Sequence, residues 1–187
     1  MGNKQSSNKN FEYKGEPVSD NIRDEVETAI IHRDCTTITD KVFSQCVNLT
    51  KVSIPDTVTT IGKYAFYYCR KLQSLKLPSS LTTIKDGAFA FCCSLEHIDI
   101  PNSVTTIEEY AFNYCSSLES VTFPPSITIK KGAFASCKNL NNETKQRMIS
   151  NNFTNANGLT LKSNFQQGNG PTNEFKGETQ KGWSPEY

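Results

Sequence analysis

Apolar residues recur along the chain at two alternating spacings. Short alternating stretches such as Leu75-Lys76-Leu77 are followed by runs with apolar residues three or four apart, such as Ile84, Ala88, Phe89, Cys92 and Leu95. The first spacing predicts a strand with one buried face, and the second predicts one or two turns of helix. The pair repeats. Thr36-Thr37-Ile38, Thr59-Thr60-Ile61, Thr82-Thr83-Ile84 and Thr105-Thr106-Ile107 are 23 residues apart. The same interval separates Phe43, Phe66, Phe89 and Phe112; Cys46, Cys69, Cys92 and Cys115; and Pro55, Pro78, Pro101 and Pro124. A last copy, Ser126 to Leu140, steps by 22.

One unit reads L-x-x-L-x-L-P-x-x-L-x-x-I-x-x-x-A-F-x-x-C. The strand faces inward through its leucines, and the proline ends it because it lacks a ladder donor. The helical turns form the opposite wall. A single coil cannot bury its own apolar side, so the copies must stack, with their strands forming a parallel sheet. The ends differ from the repeats. Ile22, Val26, Ala29 and Ile30 sit at i, i+4, i+7 and i+8 behind Pro17 and Ser19-Asp20. This predicts an amphipathic capping helix over 19–34. Residues 141–152 form the second cap. Residues 1–18 and 153–187 are too polar to order themselves and read as a disordered N-terminal segment and a disordered tail.

The segments Ala65-Phe66-Tyr67-Tyr68-Cys69, Ala88-Phe89-Ala90-Phe91-Cys92 and Ala111-Phe112-Asn113-Tyr114-Cys115, each preceded by L-P or I-P and then T-T-I, resemble the BspA-like leucine-rich repeat family, the Treponema pallidum-type subclass with 23-residue repeats. The resemblance covers roughly residues 35–140. It implies an α/β repeat solenoid, a right-handed coil with a parallel strand face. It also implies kinship with bacterial surface or secreted adhesion proteins and with proteins expanded in parasitic protists.

Composition narrows the function. The formal net charge is +1, and by segment it is −2 for 1–34, +2 for 35–140 and +1 for 141–187, so no charged arm offers itself to nucleic acid. No apolar run approaches the length of a membrane span. The start Met1-Gly2-Asn3-Lys4-Gln5-Ser6 has no apolar stretch behind it, which predicts a chain kept from export in a reducing compartment. It matches the N-myristoylation pattern at Gly2. One myristate gives reversible membrane binding. The expected location is therefore the cytoplasm, at the cytoplasmic face of a membrane through the lipid. The alternative, from the family, is the cell surface.

Five of the seven cysteines keep the repeat spacing and are expected as a buried column, while Cys35 and Cys93 fall off the period. No metal site or cofactor is expected. With strands in register, Ser74, His97 and Ser120 form one row on the open face, and Lys76, Asp99 and Thr122 the next, with Lys76 and Asp99 as a cross-strand ion pair. A serine, a histidine and an aspartate come near one another there. No nucleophile turn, Gly-rich oxyanion loop or enclosing pocket accompanies them, so an enzyme is not expected. Tyr68, Phe91 and Tyr114 precede the cysteine in three coils and either pack inward or form an aromatic ridge. The expected interaction surface combines these residues with Lys51 on the open face. Four strands give that face on the order of 250 Å², against about 800 Å² per partner in a standard interface. The sequence thus predicts a non-enzymatic protein-interaction module with an unidentified protein partner, or alternatively a surface antigen or adhesin of a protist.

Overall fold

The structure, a computed structural model, describes residues 10–150. Its elements in chain order are strand β1 (Asn10–Tyr13), a 3-10 helix (Asp20–Glu25), strands β2 (Thr28–Ile31), β3 (Thr37–Ile38), β4 (Lys51–Ser53), β5 (Thr60–Ile61), β6 (Thr83–Ile84), β7 (His97–Asp99), β8 (Thr106–Ile107), β9 (Ser120–Thr122) and β10 (Thr128–Ile129), then helix α1 (Asn142–Ser150). All strand pairs are parallel, as a stacked coil requires.

Each coil has three sides. The Thr-Ile pairs build a five-stranded sheet, order β10-β8-β6-β5-β3, with Thr37, Thr60, Thr83, Thr106 and Thr128 in register. The second side carries the Lys51-, His97- and Ser120-type strands. The proline after each such strand accepts a turn hydrogen bond three residues on, as from Val58 N–H to Pro55 O at 3.1 Å and from Val104 N–H to Pro101 O at 3.0 Å. Proline therefore both stops the strand and starts the corner into the next Thr-Ile pair.

The third side corrects the expectation of helical turns. Its spacing of three and four comes from i→i−3 turn bonds, such as Cys69 N–H to Phe66 O at 3.2 Å. These alternate with bonds to the next coil: Tyr64, Phe66 and Tyr68 donate to the carbonyls of Asp86, Ala88 and Ala90 at 3.0, 2.8 and 2.9 Å. An α-helix cannot donate sideways in this way, because its amides are spent along its own axis. The geometry needs positive φ at two places per coil, as at Tyr64 (54°) and Tyr68 (65°) or Tyr110 (57°) and Tyr114 (58°).

The core is a set of columns. Phe43, Phe66, Phe89, Phe112 and Phe134 stack with centroids 5.3, 5.2, 5.1 and 5.1 Å apart and planes within 9° of parallel. Beside them the column cysteines from Cys69 onward donate their Sγ–H to the phenylalanine carbonyl of the coil before, for example Cys69 to Phe43 O at 3.1 Å and Cys92 to Phe66 O at 3.3 Å. Burial raises the thiols of Cys69, Cys92 and Cys115, and raises Cys46 to about 11. The sign follows. Below the ordinary value of 9.0 these thiols are neutral in folded and unfolded chains alike. Above it the unfolded chain loses protons that the folded chain keeps, and stability falls. Denaturation midpoints measured from pH 7 to 11 are therefore expected to be flat to about pH 9 and to decline beyond it. In native protein at pH 8, Cys35 and Cys93 are expected to alkylate well before the buried column.

The N-terminal segment departs from the sequence reading. Residues 19–34 do not form a capping helix; only Asp20–Glu25 is helical, as 3-10, and Thr28–Ile31 is a strand pairing with both β1 and β4. The β-branched run around Thr28 and Ile31 wins over the helical spacing, because a parallel neighbour satisfies its backbone. Residues 10–18 are likewise ordered, with Tyr13 and Val18 buried. Phe11 and Tyr13 meet Phe43 edge-on at 5.9 and 5.8 Å and close the ring column. Arg23 closes the wall: its Nη1 donates to Val42 O at 3.3 Å and to Ser44 O at 2.7 Å, the carbonyls that a preceding coil would have met. The tail at 153–187 lies outside the described residues.

A two-coil alternation runs along the turn wall. One column reads Tyr64, Gly87, Tyr110, Gly132, and each tyrosine ring lies over the glycine of the next coil. A Cβ on Gly87 would meet Tyr64 Cε1 at 2.3 Å, and one on Gly132 would meet Tyr110 Cε1 at 2.4 Å. The column three residues on reads Tyr67, Ala90, Asn113, Ala135. Asn113 is fully buried there, and neither polar atom of its amide has a partner among the described residues. Its neighbours in the column show that alanine fits. Asn113→Ala is accordingly expected to raise the unfolding free energy by about 1 kcal/mol or more, since an unsatisfied buried amide costs about 1–3 kcal/mol; urea titration reads the change.

Candidate functional site

The strand side presents two rows of side chains to solvent. The first contains Asn10, Thr28, Lys51, Ser74, His97 and Ser120; the second contains Glu12, Ile30, Ser53, Lys76, Asp99 and Thr122. Strands β1 and β2, which the sequence reading did not place here, lengthen the face from four positions to six. Its footprint is then on the order of 400 Å². Ile30, 54% exposed, is the large exposed hydrophobic residue of the described chain and sits near one end of it.

This side is not one continuous sheet. Strands β1, β2 and β4 form one piece and β7 and β9 another, and between them the coil of Ser74 to Leu77 has only the Ser74 bridge to His97. Strand positions equivalent to Leu75 carry Val52, Ile98 and Val121. Among these four repeats, the coil with leucine in place of a β-branched residue is the one lacking a strand. The expected ion pair between Lys76 and Asp99 does not form among the described residues, since Lys76 is out of the ladder. Asp99 Oδ1 instead accepts from Thr122 Oγ1 at 2.6 Å. An open hollow of about 540 Å³ marks the break, lined by Asp56, Ser74, Lys76, Ser79, His97 and Asp99 among others.

His97 Nδ1 lies 2.8 Å from Ser120 Oγ. Asp99 is held by Thr122 rather than by the imidazole, so the three side chains do not form a relay. His97 is exposed. This arrangement presents imidazole, hydroxyl and carboxylate groups to solvent.

On the turn wall, Tyr68, Phe91 and Tyr114 lie outside the phenylalanine column and are half-buried, so the outward ridge forms rather than inward packing. Phe91 and Tyr114 stack at 4.7 Å with planes 4° apart, Tyr68 and Phe91 meet at 5.3 Å, and the Arg70 guanidinium covers Tyr68 at 4.6 Å. The ring faces are spent on one another, and the ridge offers edges and hydroxyls. Ridge and strand face are different sides of the coil, so the sequence-predicted residues form two surfaces. Gly2 lies outside the described residues. Sequence reasoning passed over Arg23 and Ile30, which fell inside the segment read as a helix.

The family model for the BspA-type leucine-rich repeat region, in 6 copies, matches residues 36–162. No curated protein sequence matches the chain. Among solved structures, a leucine-rich repeat protein of Treponema pallidum is 34% identical with a TM-score of 0.59, over 61% of this chain and 56% of its own. A leucine-rich cell surface protein of Faecalibacterium prausnitzii is 36% identical with a TM-score of 0.59, over 62% of this chain and 31% of its own. A leucine-rich repeat protein of Eubacterium ventriosum is 33% identical with a TM-score of 0.56, over 63% and 31%. The match thus spans about half of the treponemal protein and under a third of the other two.

Proposed function

The chain belongs to the BspA-type leucine-rich repeat family, and on that basis we propose that it is a non-enzymatic protein-interaction module whose binding residues lie on the strand face and the aromatic ridge. One observation carries this reading. The buried columns repeat almost without change, Phe above Phe and Cys above Cys, whereas the exposed rows do not repeat: Lys51, Ser74, His97, Ser120 in one and Ser53, Lys76, Asp99, Thr122 in the other. A scaffold needs the first pattern, and selective recognition uses the second. At about 400 Å² the strand face is half of a standard partner surface, so a stable complex must also engage another side, and the ridge is the aromatic one. The direct test is to compare proteins captured by the wild type with those captured by a Lys76→Glu, His97→Ala variant and by a Tyr114→Ala variant. Loss on one surface variant assigns the binding side; identical capture by all three rejects both surfaces.

We further propose that Gly2 is myristoylated and that the lipid gives reversible membrane attachment. The support is the Met-Gly-x-x-x-Ser start alone. Labelled myristate must enter the wild type and not Gly2→Ala. A second reading, a cell-surface protein, draws on the Faecalibacterium relative, which is described as one. Labelling of intact cells with an impermeant amine reagent separates the two.

A further inference from the structure

The break in the strand face leaves polar groups unpaired. The coil of Ser74 to Leu77 has no ladder to β4 and only the Ser74 bridge to His97, so the amides of Lys76 and Leu77 and the carbonyl of Lys76 have no main-chain partner among the described residues. The hollow of about 540 Å³ lies at this coil, within the roughly 300–1,000 Å³ of small-ligand sites. Three of its side chains are held by neighbouring coils. Ser79 donates from its N–H and its hydroxyl to Asp56 Oδ1 at 3.1 and 3.2 Å, Thr122 Oγ1 donates to Asp99 Oδ1 at 2.6 Å, and His97 Nδ1 meets Ser120 Oγ at 2.8 Å. Each keeps a second polar atom in reserve: Asp56 Oδ2, Asp99 Oδ2 and His97 Nε2 have no hydrogen-bond partner among the described residues. Lys76 likewise makes no ion pair among them, although two carboxylates line the same hollow.

We propose that this hollow is a binding site for a neutral saccharide. Its two carboxylates disfavour an anion, and the Lys76 ammonium between the same walls disfavours a free cation. A neutral ligand rich in hydroxyls suits the mixture, because each hydroxyl can donate to a carboxylate oxygen and accept from Lys76, His97 or Ser74. Hydrogen bonds to the carboxylates are of the stronger, charge-assisted kind. Since Ser79, Thr122 and Ser120 already orient Asp56, Asp99 and His97, little side-chain freedom remains to be lost on binding. Leu75, Leu77 and Pro101 add an apolar lining for the C–H groups of a sugar ring. Size points the same way. The strand face is too small to hold a protein partner by itself, whereas a sugar needs only the hollow. The site is open to solvent, so the expected Kd is on the order of millimolar.

Heteronuclear NMR of the full chain, titrated with methyl α-glucoside, methyl β-galactoside and N-acetylglucosamine, tests this. At least one sugar is expected to move the amide signals of residues 74–77, His97 and Asp99 saturably, while those of Thr60 and Thr83 on the other sheet stay in place. Asp56→Asn combined with Asp99→Asn keeps an oxygen to accept from Ser79 and Thr122 but removes both charges, and is expected to weaken binding about tenfold or more. Lys76→Met, which removes only the ammonium, is expected to weaken it several-fold. The proposal is overturned if none of the three sugars moves those signals, or if neither variant weakens binding. It is equally overturned if calcium chloride, arginine or sodium glutamate moves them at lower concentration than any of the sugars, which would make the hollow an ion site.

Discussion

Phe89→Ala is expected to lower the unfolding free energy by about 3–5 kcal/mol, the range for truncating a fully buried phenylalanine. Phe89 lies between Phe66 and Phe112, 5.2 and 5.1 Å away and parallel to both within 9°. Its loss leaves a void lined by two ring faces that cannot close up, because the backbone bonds on either side fix the coil spacing. In a solenoid each coil holds only its neighbours. A gap in the third coil therefore weakens both halves at once. Phe134, 8% exposed, has one ring neighbour in the column among the described residues, and Phe134→Ala is expected to cost clearly less. Denaturant titrations followed by circular dichroism read both; equal losses would show that position along the stack does not matter.

Gly62→Ala is expected to be the most damaging of the glycine substitutions, at about 1–3 kcal/mol or more for overpacking against rigid atoms. A Cβ there would stand 2.5 Å from Asp40 Oδ1, 2.7 Å from Asp40 N and 2.8 Å from Ile38 O. Two of those atoms are backbone, so the coils must part. The same displacement breaks the bond from Gly62 N–H to Ile38 O at 2.8 Å and that from Lys63 N–H to Asp40 Oδ1 at 2.7 Å. Gly87→Ala provides the contrast. Its conflict is with the half-exposed Tyr64 ring, which can swing away, leaving mainly the roughly 1–2 kcal/mol of a left-handed backbone at φ 57°. Adding Tyr64→Ala should relieve part of the Gly87→Ala defect, whereas no side-chain change at residue 40 should rescue Gly62→Ala.

The repeat was legible because burial imposes a period. Phe43 to Phe134 and Cys46 to Cys137 occupy one place in successive coils, and one place tolerates one kind of side chain. The 23-residue register of the stacked coils followed from that, but the Thr-Ile pairs, read as the start of the helical segment, form a parallel sheet of their own. The turn wall was misread since an i→i−3 turn and a helix put apolar residues at nearly the same intervals. What separates them is positive φ at Tyr64 and Tyr68, which those residue types do not announce. The N-terminal strands were missed for a related reason. Ile22, Val26, Ala29 and Ile30 satisfy a helical spacing, yet Ala29 and Ile31 are the buried pair and Ile30 points outward, the two-residue alternation of a strand. On the candidate surface, the row assignments of His97 with Ser120 and Asp99 with Thr122 were readable from the period. The break at Leu75 was not, because it turns on one γ-branched residue where the other three repeats carry Val52, Ile98 and Val121.

The alternation of Tyr64, Gly87, Tyr110 and Gly132 bears on how such a chain can change length. A duplicated or lost single coil would set tyrosine against tyrosine, with no recess to receive the ring, or glycine against glycine, with a slot left unfilled. Two coils at a time preserve the interlock. Its quantum of insertion and deletion along this stretch is therefore a pair of 23-residue coils, 46 residues, although the period visible in the letters is half of that.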